Sequence, residues 1–316
     1  MATIGTDIQK AKELLRKGDL VAIPTETVYG LAADATNALA AAKIFSAKDR
    51  PEFDPLIVHV PDLDSAQKYV SEIPAKAVTL ANLFWPGPLT LILKKNLIIP
   101  DLVTSGMDTV GIRCPDHSLT RQLLKELPFP LAAPSANPFG YVSPTRAEHV
   151  NEQLGDKIGY ILDGGPCKVG IESTIVGFEN QRPVIYRLGG LSLEKIEHTI
   201  GKVDLQAYST SNPKAPGQLK SHYAPVHKLI LGNINELLKK HKLKNIGILS
   251  FKTSYELPHE IVLSPSGSLE EAAKNLFAAL RQFDKFPIDL ILAEPVPDEG
   301  LGRAINDRLR RAAAES

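Results

Sequence analysis

Cysteine, bulk charge of one sign and long apolar runs are all scarce in this sequence. The 316 residues include only Cys114 and Cys167, too few for a disulfide framework and without the spacing of a metal-binding cluster. We therefore expect free thiols without a catalytic role. The 36 lysines and arginines balance 36 aspartates and glutamates, so any affinity for nucleic acid must come from a local patch.

The sequence also lacks a recognisable targeting segment. Residues 1–7 contain no basic stretch followed by an apolar one, and no apolar run approaches the roughly 20 residues that cross a bilayer. We therefore expect a cytoplasmic protein. Apolar residues make up 43% and charged residues 23% of the chain, which is typical of a globular protein. At this length we expect two domains, with one large α/β domain as the alternative.

Hydrophobic periodicity predicts an α/β domain in the first two thirds of the chain. A helix over 7–16 is stopped by Gly18, and an apolar strand follows at 20–23. Further helices are predicted at 39–46 and 75–83. The other predicted strands are 55–60, 89–93, 109–113, 131–133, 160–162, 173–176 and 184–187. This mixture favours an α/β fold, and we place the domain at 1–205.

The last third of the chain predicts a linker and a second domain. Periodicity fails between 209 and 225, where three prolines and a glycine interrupt a polar stretch, so we place a linker at 206–226. The second domain, 227–316, alternates strands at 228–231, 246–251 and 290–293 with helices at 234–240, 269–283 and 301–313. That order predicts a small parallel sheet. No G-x-G-x-x-G follows its strands, so dinucleotide binding is not supported.

Polar residues directly follow the predicted strand 20–23. The segment PTETVYGL at 24–31 places hydroxyls and a carboxylate at a strand end, where α/β proteins build ligand sites. A polar turn that caps the next element explains the same residues, because Thr and Glu also satisfy helix N-terminal amides. The motif alone does not decide between these interpretations.

Two cations lie two residues apart in KDRP at 48–51. In an extended stretch, Lys48 and Arg50 could face one polyanion, since the guanidinium fork matches phosphate oxygens. A solvated surface pair is the alternative. It is weakened because Pro51 and Pro55 stiffen this loop.

Three further polar positions adjoin apolar strands. His59 lies within LIVHV and is either a hydrogen-bonded core residue or a catalytic one. Arg113 follows VGI and, if buried, needs an anionic partner, which could be a ligand carboxylate or an acid of the protein. PSAN at 134–137 allows an oxyanion or phosphate to approach closely, and a tight structural turn fits it equally well.

Taken in order, these segments resemble the Sua5/YrdC/YwlC family, the threonylcarbamoyl-adenylate synthases. The matching segments are PTETVYGL (24–31), KDRP (48–51), PLIVHV (55–60), WPGPLTLIL (85–93), VGIRCP (110–115), APSAN (133–137) and ESTIV (172–176). SHYAP (221–225) and GLGRAINDRLRRAA (300–313) resemble the longer Sua5 type. The resemblance implies a YrdC-like twisted mixed sheet with helices, plus a small Rossmann-like parallel α/β C-terminal domain.

The resemblance also implies roles for particular residues. Lys48 and Arg50 form the family's Lys-x-Arg signature and would be catalytic, neutralising phosphate charge. L-Threonine would be recognised by Thr27, His59, Arg113, the Ala133 backbone and Ser173. ATP would be bound by Arg50, Asp54, Thr109, Ser135, Asn137, Ser143, Arg187 and Tyr223. Many relatives carry Asn in place of Asp54, and an acid near phosphates needs a metal or a neighbouring cation to offset repulsion.

The implied activity is that of a nucleotidyltransferase. It would make threonylcarbamoyl-AMP and pyrophosphate from L-threonine, bicarbonate or CO2, and ATP, for the N6-threonylcarbamoyladenosine at tRNA position 37. Mg²⁺ is expected with ATP, although no carboxylate cluster in the sequence identifies its ligands. The downstream tRNA threonylcarbamoyl-transferase machinery is an expected partner, and the neutral charge predicts weak or no direct tRNA binding.

Three questions stay open at this point. The protein could instead be an RNA-binding module of the YrdC fold that makes no adenylate. It could also resemble the carbamoyl-transfer segment of hydrogenase-maturation proteins, but no acylphosphatase-like or zinc-finger region accompanies it. The linker, with Tyr223, could be a lid over the nucleotide or a plain tether.

Overall fold

A computed structural model of the chain describes residues 1–206, 215–216, 223–241 and 245–314. Its strands form two sheets. The first contains β1 (Thr3–Gly5), β2 (Val21–Ile23), β3 (Gly30–Asp34), β4 (Ile57–His59), β5 (Leu89–Lys94), β6 (Thr109–Arg113), β7 (Leu131–Ala132), β8 (Tyr160–Leu162), β9 (Thr174–Glu179), β10 (Arg182–Arg187) and β11 (Asp204–Leu205). The helices between them are α1 (Ile8–Arg16), α2 (Ala38–Lys48), α3 (Leu63–Ala66), α4 (Ala75–Phe84), α5 (Asp101–Thr104), α6 (Ser118–Glu126), α7 (Ala147–Leu154) and α8 (Leu193–Ile200).

The first sheet is mixed, with eleven strands in the order β1-β8-β2-β3-β7-β4-β6-β5-β9-β10-β11. Strands β4 and β6 are parallel neighbours, whereas β2 pairs with β3 and β5 with β6 in antiparallel fashion. Helices connect many of the strands, as parallel neighbours require. The predicted mixed α/β sheet is therefore confirmed.

Local sequence signals set the ends of the first helices. Asp7 caps α1 by accepting hydrogen bonds from two amides of its first turn, at 2.8 and 3.2 Å, which satisfies donors that a helix start leaves unpaired. Gly18 then adopts a φ of +76°, which glycine does without strain. Helix α2 continues two residues beyond its predicted end, to Lys48, and Asp49 closes it in the left-handed conformation (φ +53°).

The second sheet is parallel throughout. Its strands are β12 (Lys228–Leu231), β13 (Ile246–Ser250), β14 (Glu260–Val262) and β15 (Leu290–Ala293), in the order β12-β15-β13-β14. Its helices are α9 (Ile234–Lys240), α10 (Leu269–Phe283) and α11 (Gly302–Ala313). The small parallel sheet and its three helices are confirmed. The prediction missed β14, because three residues are too few to show a period.

One hydrophobic cluster extends through both parts of the molecule. It includes Val58 and Ile112 in the first sheet, Phe277 and Leu280 in α10, and Leu309 in α11. Burial of such side chains stabilises by about 1.5–3 kcal/mol each. The two parts therefore share a continuous apolar interior in addition to their polar contacts.

Most of the predicted linker, 206–226, lies outside the described residues. Within it, only residues 206, 215–216 and 223–226 are described, and the predicted domain boundaries stay predictions. In the described ranges, none of the helices combines the length and apolar character that a membrane span requires.

Candidate active site

A narrow cavity lies at the ends of β4, β6 and β7, with an empty volume of about 520 Å³ that includes open solvent. It is lined by Val28, Arg50, Asp54, Ile57, His59, Arg113, Ala133, Pro134, Ser135, Glu172, Arg187, Pro216 and Tyr223. The lining contains three arginines and two acids. The cavity therefore carries an excess of positive charge.

A wider groove runs along β5, β6, β9 and β10. Its empty volume is about 1930 Å³, but it is more open to solvent, and no arginine is among the described residues that line it. Size alone would favour this groove as the site. Convergence of charged groups in a confined space is the better indicator of a ligand site, and it favours the narrow cavity.

Strand register brings His59 and Arg113 together. His59 ends β4, Arg113 ends β6, and the two residues are paired in the parallel ladder. Side chains of paired residues project from the same face of a sheet, so both reach the cavity. Ala133 and Ser135, just beyond β7, complete this wall. Parallel pairing thus joins two apolar strands into one polar site.

Arg113 is buried and forms an ion pair with Glu26. Its Nη2 lies 2.7 Å from Glu26 Oε1 and donates to the Thr27 hydroxyl at 2.8 Å. The second Glu26 oxygen accepts the Asp116 amide at 3.0 Å. Of the two partners that the sequence left open for Arg113, the structure shows an acid of the protein. Among the described residues, Arg113 Nε has no hydrogen-bond partner although it is buried, so part of the guanidinium remains available to a ligand.

The PTET segment is a turn that leads into β3 and does not cap a helix. The Thr25 hydroxyl accepts the amides of Thr27 (3.1 Å) and Val28 (3.2 Å) and donates to the Val28 carbonyl (2.6 Å). Thr25 thus closes the turn, while the side chains of the next two residues hold Arg113. The polar-turn interpretation therefore describes Thr25, and the ligand-site interpretation describes Glu26 and Thr27, which contact the cavity residue Arg113.

His59 is buried in the cavity wall, and no described residue forms a hydrogen bond with its Nδ1. Burial, helped by the positive charge of Arg113, lowers the His59 pKa to about 3. The imidazole is therefore neutral at physiological pH. A neutral ring can accept a hydrogen bond from a ligand hydroxyl or amine.

Arg50 and Asp54, which also line the cavity, form a second buried ion pair. Arg50 Nη2 lies 2.9 Å from Asp54 Oδ2 and donates to the Pro55 carbonyl at 2.8 Å, and Nε donates to the Asp54 carbonyl at 3.0 Å. Burial raises the Asp54 pKa, against the opposing effects of Arg50 and Lys48. Asp54 Oδ1 has no hydrogen-bond partner in the part of the chain that the structure describes. The cation that an acid near phosphates needs is therefore present.

Lys48 is buried too, so the surface-pair alternative is wrong for both cations. The expected extended stretch is also wrong, because Lys48 is the last residue of α2. Its Nζ donates to the carbonyls of Ser135 (2.5 Å) and Asn137, and burial lowers its pKa well below the usual value. Lys48 thus contacts the Ser-x-Asn turn and does not line the cavity. A catalytic role for it stays a prediction.

Arg187, Ser173 and Thr90 form a buried hydrogen-bonded group. Arg187 donates to the Ser173 carbonyl and hydroxyl, each at 3.1 Å, and to the Pro216 carbonyl at 3.2 Å. The hydroxyls of Ser173 and Thr90 are 2.8 Å apart. This group ties the end of β10 to a described residue of the predicted linker.

Ser143 and Tyr223 meet the second domain. The Ser143 hydroxyl donates to Glu172 Oε1 at 2.6 Å, and Arg308 Nε donates to Glu172 Oε2 at 3.0 Å. The Tyr223 ring lies over Arg308, 5.2 Å from centroid to Cζ, and stacks on Phe277 at 5.4 Å. Tyr223 is fully buried and adopts a φ of +65°.

Some predicted site residues do not line the cavity. Thr109 lines the wider groove and also a separate small void that reaches Pro216. The Asn137 amide donates to the carbonyls of Pro138 and Tyr141, at 2.8 Å each. Thr27, Ser143 and Ser173 lie one hydrogen bond behind lining residues. These placements leave their ligand contacts as predictions.

Three buried charged residues that hold the site together were not predicted to belong to it. Glu26 and Glu172 fall within the quoted motifs, and Arg308 falls within GLGRAINDRLRRAA. A buried arginine requires an anion, so the motifs signalled that partners exist. Glu26 pairs with Arg113, 87 residues away in the sequence, and Glu172 pairs with Arg308, 136 residues away. Sequence spacing does not predict such distant pairs.

The described residues contain no group of three or more metal-binding side chains. Glu26 and Glu172 are paired with arginines, and Asp54 alone keeps an unpartnered carboxylate oxygen in the wall. Such a set fits a Mg²⁺ ion that is bound mainly by the phosphates of a nucleotide. Both cysteines are free, as predicted, and both are buried, and burial raises the pKa of Cys114 to about 11.

Comparisons with known proteins cover the whole chain. The Sua5/YciO/YrdC family model, described as telomere recombination, matches residues 13–189, and the model described as threonylcarbamoyl-AMP synthase, C-terminal domain, matches 191–314. The threonylcarbamoyl-AMP synthase of Pyrococcus abyssi is 42% identical, covering 97% of this chain and 94% of the relative. That of Bacillus subtilis is 41% identical, covering 99% and 94%.

Solved structures agree with these matches. The crystal structure of P. abyssi Sua5 complexed with L-threonine superposes with a TM-score of 0.93 at 42% identity, covering 97% of this chain and 94% of that one. Identity and fold at this level, over both sheets, extend well beyond a shared architecture. The chain therefore belongs to the Sua5/YciO/YrdC family and carries the C-terminal domain of threonylcarbamoyl-AMP synthases.

Proposed function

We propose that the chain is an L-threonylcarbamoyladenylate synthase, which makes threonylcarbamoyl-AMP and pyrophosphate for the threonylcarbamoyladenosine modification of tRNA. Full-length relatives with that name support this function. The observation that carries it is the convergence of Arg50, Arg113 and Arg187 on one confined cavity. Buried arginines are suited to a ligand with both a carboxylate and phosphates, because their donors match both groups.

We assign the amino acid to the wall formed by β4, β6 and β7. Arg113 would bind the threonine carboxylate through the donors that Glu26 leaves available, and neutral His59 would accept a hydrogen bond. Thr27, the Ala133 backbone and Ser173 would complete this subsite. The similar P. abyssi Sua5 was crystallised as a complex with L-threonine, which supports an amino-acid ligand of this kind.

We assign the nucleotide to the part of the cavity around Arg50, Arg187 and Ser135. Arg50 and Arg187 would neutralise its phosphates, and the Ser135 turn, held by Lys48, would present backbone donors. Mg²⁺ would enter with ATP, with Asp54 as a ligand from the protein. The remaining ATP contacts, Thr109, Asn137, Ser143 and Tyr223, rest on the family resemblance.

The reaction needs positioning more than a protein nucleophile. The threonine amine adds to CO2 and loses a proton, giving a carbamate. The carbamate carboxylate attacks the α-phosphorus of ATP, the bond to the bridging oxygen of the β-phosphate breaks, and pyrophosphate leaves. Arginines held by buried acids stabilise the developing charge without reorganising, and a confined site protects the labile mixed anhydride from water.

Purified protein with ATP, Mg²⁺, bicarbonate and L-threonine should release pyrophosphate and form the adenylate, detected by mass spectrometry. L-Serine and bicarbonate-free reactions are the controls. A requirement for both threonine and bicarbonate supports the nucleotidyltransferase assignment. Folded protein that binds ATP and tRNA but forms no adenylate would favour the RNA-binding module instead. The cytoplasmic location stays a prediction.

A further inference from the structure

Two buried arginines of the second domain lie behind the wall of the active site. Arg308 lies on α11 and is completely buried, and Arg281 lies on α10 and is 4% exposed. Both reach across to groups of the first domain. A buried guanidinium requires acceptors for its donors, so these contacts decide how the two parts fit together.

Arg308 makes contacts in three directions. Its Nε donates to Glu172 Oε2 (3.0 Å), its Nη2 to the Leu188 carbonyl (2.8 Å), and its Nη1 to Asp307 Oδ2 (2.7 Å). Burial raises the Glu172 pKa, but Arg308, Arg187 and the Ser143 hydroxyl outweigh burial, and the Glu172 pKa is lowered. Glu172 is therefore an anion at neutral pH.

Arg281 binds the loop 141–143, which contains Ser143. Its Nε donates to the Ser143 carbonyl at 3.3 Å and its Nη2 to the Val142 carbonyl. Its guanidinium also lies over the Tyr141 ring, 5.0 Å from the centroid. The loop 141–143 is therefore bound through its backbone by α10 and through the Ser143 hydroxyl by Glu172, which is held by α11.

Helices α10 and α11 also pack against the Tyr223 side chain. Phe277 of α10 stacks on one part of the ring, and the Arg308 guanidinium lies 5.2 Å from its centroid. Arg308 thus touches Tyr223 and, through Glu172, orients Ser143. The Ser143 proton is donated to Glu172, so Ser143 and Arg308 together fix the carboxylate of a residue that lines the cavity.

We infer that Arg308 is a positioning residue for the nucleotide, by which the second domain orders Glu172, Ser143 and Tyr223 in the active site. This inference rests on the proposed ATP-dependent function. It gives the second domain a defined part in nucleotide binding: without Arg308, the first domain would keep its own strands but lose the fixed geometry of this wall.

The test compares Arg308→Met with Arg303→Met. Arg303 lies on the same helix and binds Glu194 of α8 at the surface (3.2 Å), so its substitution removes an ion pair between the domains without touching the cavity. ATP affinity, measured by calorimetry, should fall at least about tenfold in Arg308→Met and change less than twofold in Arg303→Met. The KM for threonine should change much less than the KM for ATP.

Further variants separate positioning from folding. Arg308→Lys should be intermediate, and Glu172→Gln should weaken ATP binding by a similar factor. The double variant Glu172→Gln/Arg308→Met should be little worse than either single one, because both substitutions break one path. If Arg308→Met does not fold, Arg308→Lys and Glu172→Gln provide the same comparison.

Unchanged ATP affinity in folded Arg308→Lys and Glu172→Gln would overturn the inference. Wild-type protein that binds ATP but forms no adenylate would contradict only the proposed reaction, and the affinity ratios would still test Arg308. Wild-type protein that binds no ATP would overturn both.

Discussion

The two sheets of this molecule use their strand ends differently. In the first sheet, β4 and β6 end in His59 and Arg113, which open into a charged cavity. In the second, Glu294 follows β15 and accepts hydrogen bonds from the Phe251 amide (2.7 Å) and the Tyr255 hydroxyl (3.3 Å). Parallel α/β sheets usually bind ligands at this edge. Here Glu294 is engaged by hydrogen bonds within the second domain, and the buried hydroxyl of Ser250, at the end of β13, has no partner among the described residues.

The buried charges of the second domain lie on its helices. Arg281, Asp307, Arg308 and Arg311 are all buried on α10 and α11, and two of them contact the first domain. This difference between the two sheets shows that a Rossmann-like arrangement does not by itself indicate a ligand site. The second domain contributes to the site through the faces of α10 and α11 that contact the first domain.

The largest expected effect is at the edge of the first sheet. Arg113→Met leaves Glu26 buried without its partner, which should cost about 3–5 kcal/mol of stability and lower kcat/KM for threonine at least about a hundredfold. The double variant Glu26→Gln/Arg113→Met should regain much of the stability but not the activity. Urea unfolding and pyrophosphate release measure the two effects. Recovery of activity in the double variant would show that Arg113 only balances Glu26.

A smaller loss is expected where α10 meets the first domain. Arg281→Met removes charge-assisted hydrogen bonds to the loop 142–143 and should cost about 1.5–3 kcal/mol. Lys285 lies two residues beyond the end of α10 and pairs with Glu152 at the surface (2.9 Å), so Lys285→Met should change stability by less than about 1 kcal/mol. Urea unfolding compares the two variants, and equal losses would contradict a special role for the buried contact.

The pH dependence of stability should report His59. Its pKa is about 3 when folded, against 6.5 for an ordinary histidine, so the unfolded chain binds the extra proton between these values. Stability should therefore be fully present above pH 6.5 and fall as pH decreases, by about 2 kcal/mol at pH 5 from this residue alone. Thermal unfolding of wild type and His59→Gln from pH 7 to pH 5 tests this, and identical pH slopes would argue against it.

The smallest effect on activity is expected at the edge of the second sheet. Glu294→Gln weakens the hydrogen bonds to Phe251 and Tyr255 and should cost about 1 kcal/mol of stability. Turnover and ATP affinity should stay within twofold of wild type, because this edge holds no part of the proposed site. A large change in either one would mean that both sheets bind ligands, and the contrast between them would be lost.

Long periodic elements were predicted well from sequence. Helix α10 and strands β6, β12 and β15 have the predicted limits. Strand β3, Gly30–Asp34, was missed because it is rich in alanine and has few β-branched residues, so its pairing with β2 and β7 decides its conformation. Helix α6, Ser118–Glu126, was missed because His117 occupies its N-cap position and provides no capping hydrogen bond.

The sequence by itself determined which residue types follow each strand and, through the motifs, the family to which the chain belongs. Only the tertiary structure decided that Lys48 contacts the Ser-x-Asn turn, that Arg113 pairs with Glu26, and that Arg308 reaches Glu172. The physical reason is that burial and charge pairing depend on which distant segments the fold brings into contact. The strength of those interactions depends on water being excluded from them, which no local pattern specifies.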